Sequence, residues 1–255
     1  MGITLGVIGA GGSILTVPIL VYLFGVNPTL ATAYSLALVG ATAATGGLRH
    51  FLRGDVDVEA VLTFGLPSMI GVYLARRYGL PMVPEVVGTM GSFQVTRDLL
   101  IMLVFAVFML AAAMLMIRGR AGSSEKPRRK LTTGGVVLAG CEGLVVGGIT
   151  GLVGAGGGFL IVPALVWLLG LPIKRAVTTS LTIIAIKSLI GFTGDLQGPQ
   201  QIDWLFLLSL FGLSAVGILM GIRVGQNLQA RHLQRGFGWF VLVTGVFVIA
   251  RELSR

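Results

Sequence analysis

The sequence predicts an all-α polytopic membrane protein made of two homologous, inverted repeats, each a Gly-tipped hairpin plus three transmembrane helices. Three observations carry that prediction. Only 11% of the 255 residues are charged and 55% are hydrophobic, with a mean hydropathy of +0.92, whereas soluble domains carry roughly 25% charged residues. Apolar runs of helix-spanning length, roughly 20 residues, recur along the whole chain, and the period-2 amphipathic strands of a membrane barrel do not. Finally, one Gly-rich stretch is present twice: Gly154-Ala155-Gly156-Gly157-Gly158-Phe159-Leu160-Ile161-Val162-Pro163 and Gly9-Ala10-Gly11-Gly12-Ser13-Ile14-Leu15-Thr16-Val17-Pro18.

In chain order, residues 2–8 form a short apolar stub, followed by the first Gly turn and an apolar arm, Ile14–Phe24. Gly25-Val26-Asn27-Pro28 reads as a turn. Apolar segments follow at about 30–47, 58–76 and 98–117, the last two separated by a longer loop holding Pro81 and Pro84. The basic run from Arg118 to Lys130 is the one clear hydrophilic linker. It divides a single transmembrane domain, 1–255, into a first repeat (1–118), a linker (119–132) and a second repeat (133–255). The second half repeats the order: apolar 134–152, the Gly turn, an arm at 159–169, then segments at about 176–193, 204–222 and 236–252.

Residues 9–46 align with 154–191 without a gap at an offset of 145, and 15 of the 38 positions are identical. Among them are the glycines, Pro18/Pro163, Gly25/Gly170, Ala31/Ala176, Ser35/Ser180, Leu36/Leu181 and Gly46/Gly191. Apolar composition alone gives far fewer, so the chain is internally duplicated. Farther on, Gly71/Gly217 and Arg77/Arg223 match at an offset of 146.

The arms Ile14–Phe24 and Phe159–Leu169 hold 11 residues each, about 16 Å of helix, too short to cross a bilayer. Each reads as the return arm of a re-entrant hairpin with its Gly tip in the membrane. One hairpin plus three crossings per half inverts the second half. With the linker inside, that topology puts 13 Lys and Arg residues inside and 5 outside, the latter being Arg76, Arg77, Arg97, Arg251 and Arg255. Reading each Gly turn as a break in a continuous span gives 10 and 8, so the positive-inside bias favours inversion. The first arm has only eight residues before Gly9, where its counterpart begins about 20 residues before Gly154; an upstream start or a vestigial arm would each account for this.

The net charge of +9 sits mostly in short loops and sets orientation; nucleic acid is not an expected partner. Cys141 is the single cysteine, which excludes an intramolecular disulfide and thiolate metal clusters. His50 at a membrane boundary and His232 in a polar loop make no metal site. No nucleophile–base pair is visible, so neither an enzyme nor a cofactor is expected.

The Gly turns are the first candidates for chemistry. Neither contains Gly-Lys-Ser/Thr, and Ile14 and Phe159 break G-x-G-x-x-G, so nucleotide binding is not expected. Either the glycines only permit close helix packing, or two unwound tips meet near midplane and offer N–H donors to an anion. The second reading makes Gly9, Gly11, Gly12, Ser13, Gly154, Gly156, Gly157 and Gly158 substrate-binding residues. Ser35 and Ser180 are repeat-equivalent, the latter within Thr178-Thr179-Ser180-Leu181-Thr182. Their hydroxyls, with that of Thr179, either back-bond within their helix or reach the ligand. Lys187 lies some 12 residues into an apolar segment, opposite Thr42 of the other half. It is a candidate substrate counter-ion and proton carrier, unless it snorkels or pairs with Glu142 or Asp195. Glu142, eight residues into the second hairpin arm, is the other proton-coupling candidate.

The Gly-x-Gly-Gly-Gly motif with Pro163 and Thr179-Ser180-Leu181, its degenerate copy in the first half, and Arg53-Gly54-Asp55-Val56-Asp57 together resemble the TauE/SafE (sulfite exporter) family over nearly the whole chain. The resemblance implies a multi-pass permease of the bacterial or archaeal cytoplasmic (inner) membrane for small anions such as sulfite, sulfoacetate, related sulfonates or organic acids. It extends to the Gly turns, Ser35 and Ser180; Lys187 and Glu142 belong to no general family pattern. The expected function is a secondary transporter, an exporter, with the linker cytoplasmic, protons as coupling ion and alternating access around the two tips. A passive anion channel or facilitator and a non-transport assembly partner are the alternatives. The expected partners are a small anion, the bilayer and protons; a homodimer is left open.

Overall fold

The computed structural model describes residues 2–4, 13–90, 93–118, 133–154, 156–167, 169–196, 201–225 and 230–254. The chain is helical almost throughout, an all-α polytopic membrane protein. Its helices are α1 (Ser13–Leu23), α2 (Pro28–Leu52), α3 (Val58–Met82), α4 (Arg97–Ile117), α5 (Thr133–Val153), α6 (Gly158–Trp167), α7 (Ile173–Asp195), α8 (Trp204–Gly225) and α9 (Ala230–Leu253). Five stretches, within α3, α4, α5, α7 and α8, are long and apolar enough to cross a membrane among the described residues. The linker at 119–132 and the first Gly turn at 9–12 lie outside the described residues.

Local chemistry explains the boundaries. Asn27 caps α2, its Oδ1 accepting from Thr29 N at 2.9 Å with Pro28 at the first helical position. Asp57 caps α3 by accepting from Ala60 N at 3.0 Å, and Thr96 caps α4 by accepting from Leu99 N at 3.3 Å. Within α3, π turns at Val61–Gly65 and Ala75–Gly79 run up to Pro67 and Pro81. A proline ring cannot donate to the i−4 carbonyl and crowds it, so the helix widens there. The loop expected after residue 76 is thus partly helix. Its remainder is a short antiparallel hairpin, β1 (Val86–Met90) and β2 (Phe93–Thr96), with Thr89 opposite Gln94. Strands of five and four residues are too short to leave a period-2 signal in the sequence.

The two arms end alike. Gly25 and Gly170 are both left-handed (φ 67° and 64°). Val26 N donates to Leu20 O at 3.0 Å, as Leu171 N does to Leu165 O at 3.2 Å. Ala31 N donates to Asn27 O, as Ala176 N does to Pro172 O, both at 2.8 Å. Each pair of bonds stands 145 residues apart.

α2 and α7 form the most extensive packing in the bundle, and they run antiparallel. A Cβ on Gly191 would meet Leu36, one on Gly40 would meet Leu189, and one on Gly47 would meet Leu181 and Thr182. Residue i of α2 therefore lies beside roughly residue 228 − i of α7, and the repeat-equivalent positions coincide at Thr42 and Lys187. α4 and α9 are antiparallel too, with Gly238 against Ile117 and Gly245 against Leu110. α3 packs on α5 so closely that a Cβ on Gly147 would strike Ser68 O; residues 2–4 approach α8 in the same way, Gly2 against Ser214 O.

α7 is two-thirds buried (67%), against 28–39% for the other four spans, although its hydropathy is the lowest of the five. Its polar face looks inward, and α2 carries the buried Thr32, Ser35 and Thr42 beside it. The outer helices turn Leu205, Leu208, Leu213, Trp239 and Val243 outward, an apolar skin suited to lipid tails.

Polar contacts gather at two ends. One end joins Asn27 and Thr29 to Asp98, Tyr22 to Glu252, Tyr34 to Asp203 N, and Arg76 to Asp195. The other joins His50 to Asp55, Thr178 Oγ1 to Asp55 O, and Thr179 Oγ1 to Asp57 N.

Candidate functional site

The second Gly turn links α5 to α6 at the centre of the bundle. Gly154, Gly156 and Gly157 all have positive φ (71°, 64° and 77°), a region costly for any side-chain-bearing residue. Space forbids a side chain as well. A Cβ on Gly154 would stand 2.5 Å from Thr32 Cβ, and one on Gly156 would stand 2.5 Å from Val39 Cγ1. Thr32, Ser35, Val39 and Thr42 recur at helical spacing, so one face of α2 lines the turn. At Gly157 the missing Cβ leaves room for Thr150 Cγ2 at 2.5 Å and Lys187 Nζ at 2.7 Å.

Lys187 is completely buried. Its ammonium donates one hydrogen bond among the described residues, to Thr150 Oγ1 at 2.7 Å. The Thr150 hydroxyl in turn donates to Val146 O at 2.7 Å, with Gly147 O at 3.2 Å. An ammonium has three protons to place, and the carboxylates expected as partners are elsewhere. Asp195 pairs with Arg76, and Glu142, half-buried on α5, lies eight residues from Thr150, about 12 Å along the helix.

Ser13, the one described residue of the first tip's motif ahead of the arm, is fully buried; the Cβ position of Gly156 is 3.4 Å from its Cβ and 3.5 Å from its Oγ. Gly158 is buried at the start of α6. Ser35 Oγ and Thr42 Oγ1, on α2, and Ser188 Oγ, next to Lys187 in sequence, are buried with no hydrogen-bond partner among the described residues. Buried hydroxyls left without a partner are uncommon. Ser180 is buried and back-bonds Val177 O at 2.8 Å, while Thr179 accepts from Asp57 N and so ties α7 to the α2–α3 loop. Gly9, Gly11 and Gly12 lie outside the described residues. The structure thus brings together Ser13, the second Gly turn and Lys187; it sets Thr179 and Ser180 two turns and more along α7 toward its start, and Glu142 at the middle of α5, two turns before Thr150.

Two groups escaped sequence reasoning. Thr150 has Leu5 as its counterpart, so the duplication gave no sign of it. Arg76 was counted as an outer loop charge, yet its side chain is wholly buried. Its Nε donates to Asp195 Oδ2 at 2.8 Å, its Nη2 lies 2.7 Å from the same oxygen, and its Nη1 donates to Thr32 Oγ1 at 2.9 Å and Gly151 O at 3.3 Å. One side chain thereby ties α3 to α7, to α2 and to the last turn of α5, just ahead of Gly154. Beyond this network at the same end lies an open polar cavity of about 720 Å³, bordered by Asn27, Gln94, Thr96, Asp98 and Glu252. Among the described residues, no group of His, Cys, Asp and Glu could hold a metal ion.

Compared with known proteins, residues 1–248 match the family described as "Sulfite exporter TauE/SafE". A Xylella fastidiosa (strain 9a5c) protein named "Probable membrane transporter protein" is 28% identical, over 99% of this chain and 92% of its own. "Probable membrane transporter protein YunE" of Bacillus subtilis (strain 168) is 27% identical, over 89% and 85% respectively. "Probable membrane transporter protein MJ0441" of Methanocaldococcus jannaschii is 23% identical, over 98% and 91%. No solved structure matches the chain.

Proposed function

The chain belongs to the sulfite exporter TauE/SafE family, and we propose that it is a secondary transporter that exports small anions such as sulfite, sulfonates or related organic acids across the cytoplasmic membrane. The relatives above carry transporter names rather than enzyme names. The observation that carries the reading is Lys187: a fully buried ammonium with one neutral partner, standing against the bare backbone of Gly157. An uncompensated charge in a membrane interior is expensive, so it is retained for a counter-ion that comes and goes. Substrate sits there, between Lys187, the second Gly turn and the hydroxyls of α2.

The two halves act as inverted repeats that rock about this point. Supporting this are the antiparallel α2/α7 and α4/α9 pairs, the equivalence of Thr42 with Lys187 at the first crossing, and the grouping of polar contacts at two ends. The full burial of Lys187 corresponds to an occluded state in that cycle. The linker then faces the cytoplasm and Arg76–Asp195 the opposite side. Protons drive export through Glu142 or Lys187, since neither Gly turn has the lysine of a nucleotide loop.

The test is sulfite and sulfonate flux in proteoliposomes, with Lys187→Met expected to lower uptake at least tenfold while the protein still folds. Unchanged affinity and flux in that variant would falsify the site. The alternative, a passive facilitator, requires wild-type flux that follows the anion gradient with no response to an imposed pH gradient.

A further inference from the structure

Among the described residues, and with Lys187 protonated, the fully buried charge at the middle of the bundle is a single positive unit. Of the four buried charged side chains among the described residues, Asp57 lies at one end and Glu252 and Arg76 at the other, leaving Lys187 mid-bundle. Arg76 is cancelled by Asp195, which meets its Nε and Nη2. Lys187 has no carboxylate partner among the described residues. Its neighbours are the Thr150 hydroxyl on α5 and Gly157 of the turn, and α2 crosses α7 at the level of Thr42. The remaining tip, Leu5-Gly6-Val7-Ile8-Gly9-Ala10-Gly11-Gly12, contains no ionisable side chain. That stretch lies outside the described residues, and its side chains bring no charge.

We propose that this site selects its substrate by charge number, taking singly charged oxyanions such as hydrogensulfite and monosulfonates and rejecting dianions of the same shape. The inference rests on the transport site proposed above and adds a substrate class to it. One ammonium and one monoanion make a neutral occupied site, which can be buried between two closed ends. A dianion leaves one negative charge in a low-dielectric interior, at a cost the hydroxyl donors cannot offset. Those donors, Ser35, Thr42 and Ser188, are neutral and unpartnered, so they serve a sulfonate and a sulfate alike. The discrimination falls on Lys187 alone, and the first repeat shows how it is set: its equivalent position is Thr42, where a second lysine would have made the site dicationic and matched to a dianion.

Methanesulfonate and sulfate form the probe pair, similar in size and donor demand, with one and two charges throughout the neutral pH range. Titrated calorimetrically into the purified full chain at fixed ionic strength, methanesulfonate is expected to bind about a hundredfold tighter than sulfate. Lys187→Met is expected to abolish measurable binding of both. Thr42→Lys, which adds the second ammonium, is expected to move the ratio at least tenfold toward sulfate; if that variant does not fold, the wild-type pair decides. Sulfate binding as tightly as methanesulfonate, with both lost in Lys187→Met, overturns the charge rule and leaves the transport site standing. A preference for methanesulfonate that survives Lys187→Met overturns its assignment to Lys187. Absence of saturable binding by methanesulfonate, sulfate and sulfite, together with no flux, removes the site itself and this inference with it.

Discussion

Two cations are buried in this bundle among the described residues, and they are held in opposite ways. Arg76 sits in a built-in network: a carboxylate, a hydroxyl and a carbonyl take hydrogen bonds from its Nε and Nη1, and its Nη2 is ion-paired to the same carboxylate, joining four helices at one end. Lys187, mid-bundle, has one hydroxyl and a glycine that leaves space beside it. Burial of a charge is tolerated where partners are built in, as at Arg76, and demands a visitor where they are not, as at Lys187. The first cation is a brace; the second is a binding group.

The largest test of that contrast is Asp195→Asn. It keeps the shape and strands a fully buried guanidinium, which costs about 3–5 kcal/mol. Thermal unfolding in detergent should show it as a drop in Tm exceeding that of any other variant considered. A Tm within a degree or two of wild type would mean that Arg76 is solvated, and the two cations would no longer differ in kind.

Next in size is Gly157→Ala. The new methyl would press on Thr150 and Lys187 at a left-handed φ, costing about 2–3 kcal/mol from overpacking and backbone strain together. Anion binding should be lost with it. Gly194→Ala is the control beside Arg76: its Cβ would lie 3.1 Å from Arg76 Cβ, at an ordinary helical φ, so a smaller loss of stability is expected and binding should survive. Equal effects of the two substitutions would erase the distinction between the centres.

Lys187→Met sharpens the comparison by its sign. Replacing an uncompensated buried charge with an apolar chain of similar volume is neutral or stabilising. Its Tm should therefore hold or rise while binding disappears, the reverse of Asp195→Asn. A Tm fall matching that variant would make Lys187 a second brace.

The legible part of this molecule was the part written in long-range composition and repetition. Spans such as 98–117 and 134–152 lie within a residue or so of α4 and α5 because a membrane enforces unbroken apolar helices. Offset matching makes Thr42 the repeat-equivalent of Lys187, and the antiparallel α2/α7 packing sets the two positions at one level. What stayed hidden depends on side-chain reach. Arg76 and Arg77 are indistinguishable in sequence, and only the rotation of α3 decides that the first points inward to Asp195. Thr150 is one hydroxyl in a glycine-rich helix, and its value comes from a lysine 37 residues away. The β1–β2 hairpin is too short to carry a period. Ser180 and Thr179, prominent by motif, bond to backbone nearby, whereas Ser35, the repeat-equivalent of Ser180, and Ser188, which stands in no motif, carry orphan hydroxyls among the described residues.

The smallest expected effect on stability is that of Glu142→Gln, and it bears on where protons move. Glu142 is half-buried and far along α5 from the Lys187 amine, so its loss should change stability by no more than about 0.5 kcal/mol. If it carries the coupling proton, flux driven by an imposed pH gradient should fall to the level set by the anion gradient alone, with anion affinity unchanged. If pH-driven flux persists in Glu142→Gln, coupling has to pass through Lys187, where substrate charge and proton would share one nitrogen. Binding and coupling would then be inseparable by mutation, and every Lys187 variant that loses the anion would lose the proton with it. Retention of anion binding in Glu142→Gln, with loss of pH response, is the outcome that keeps the two roles on different helices.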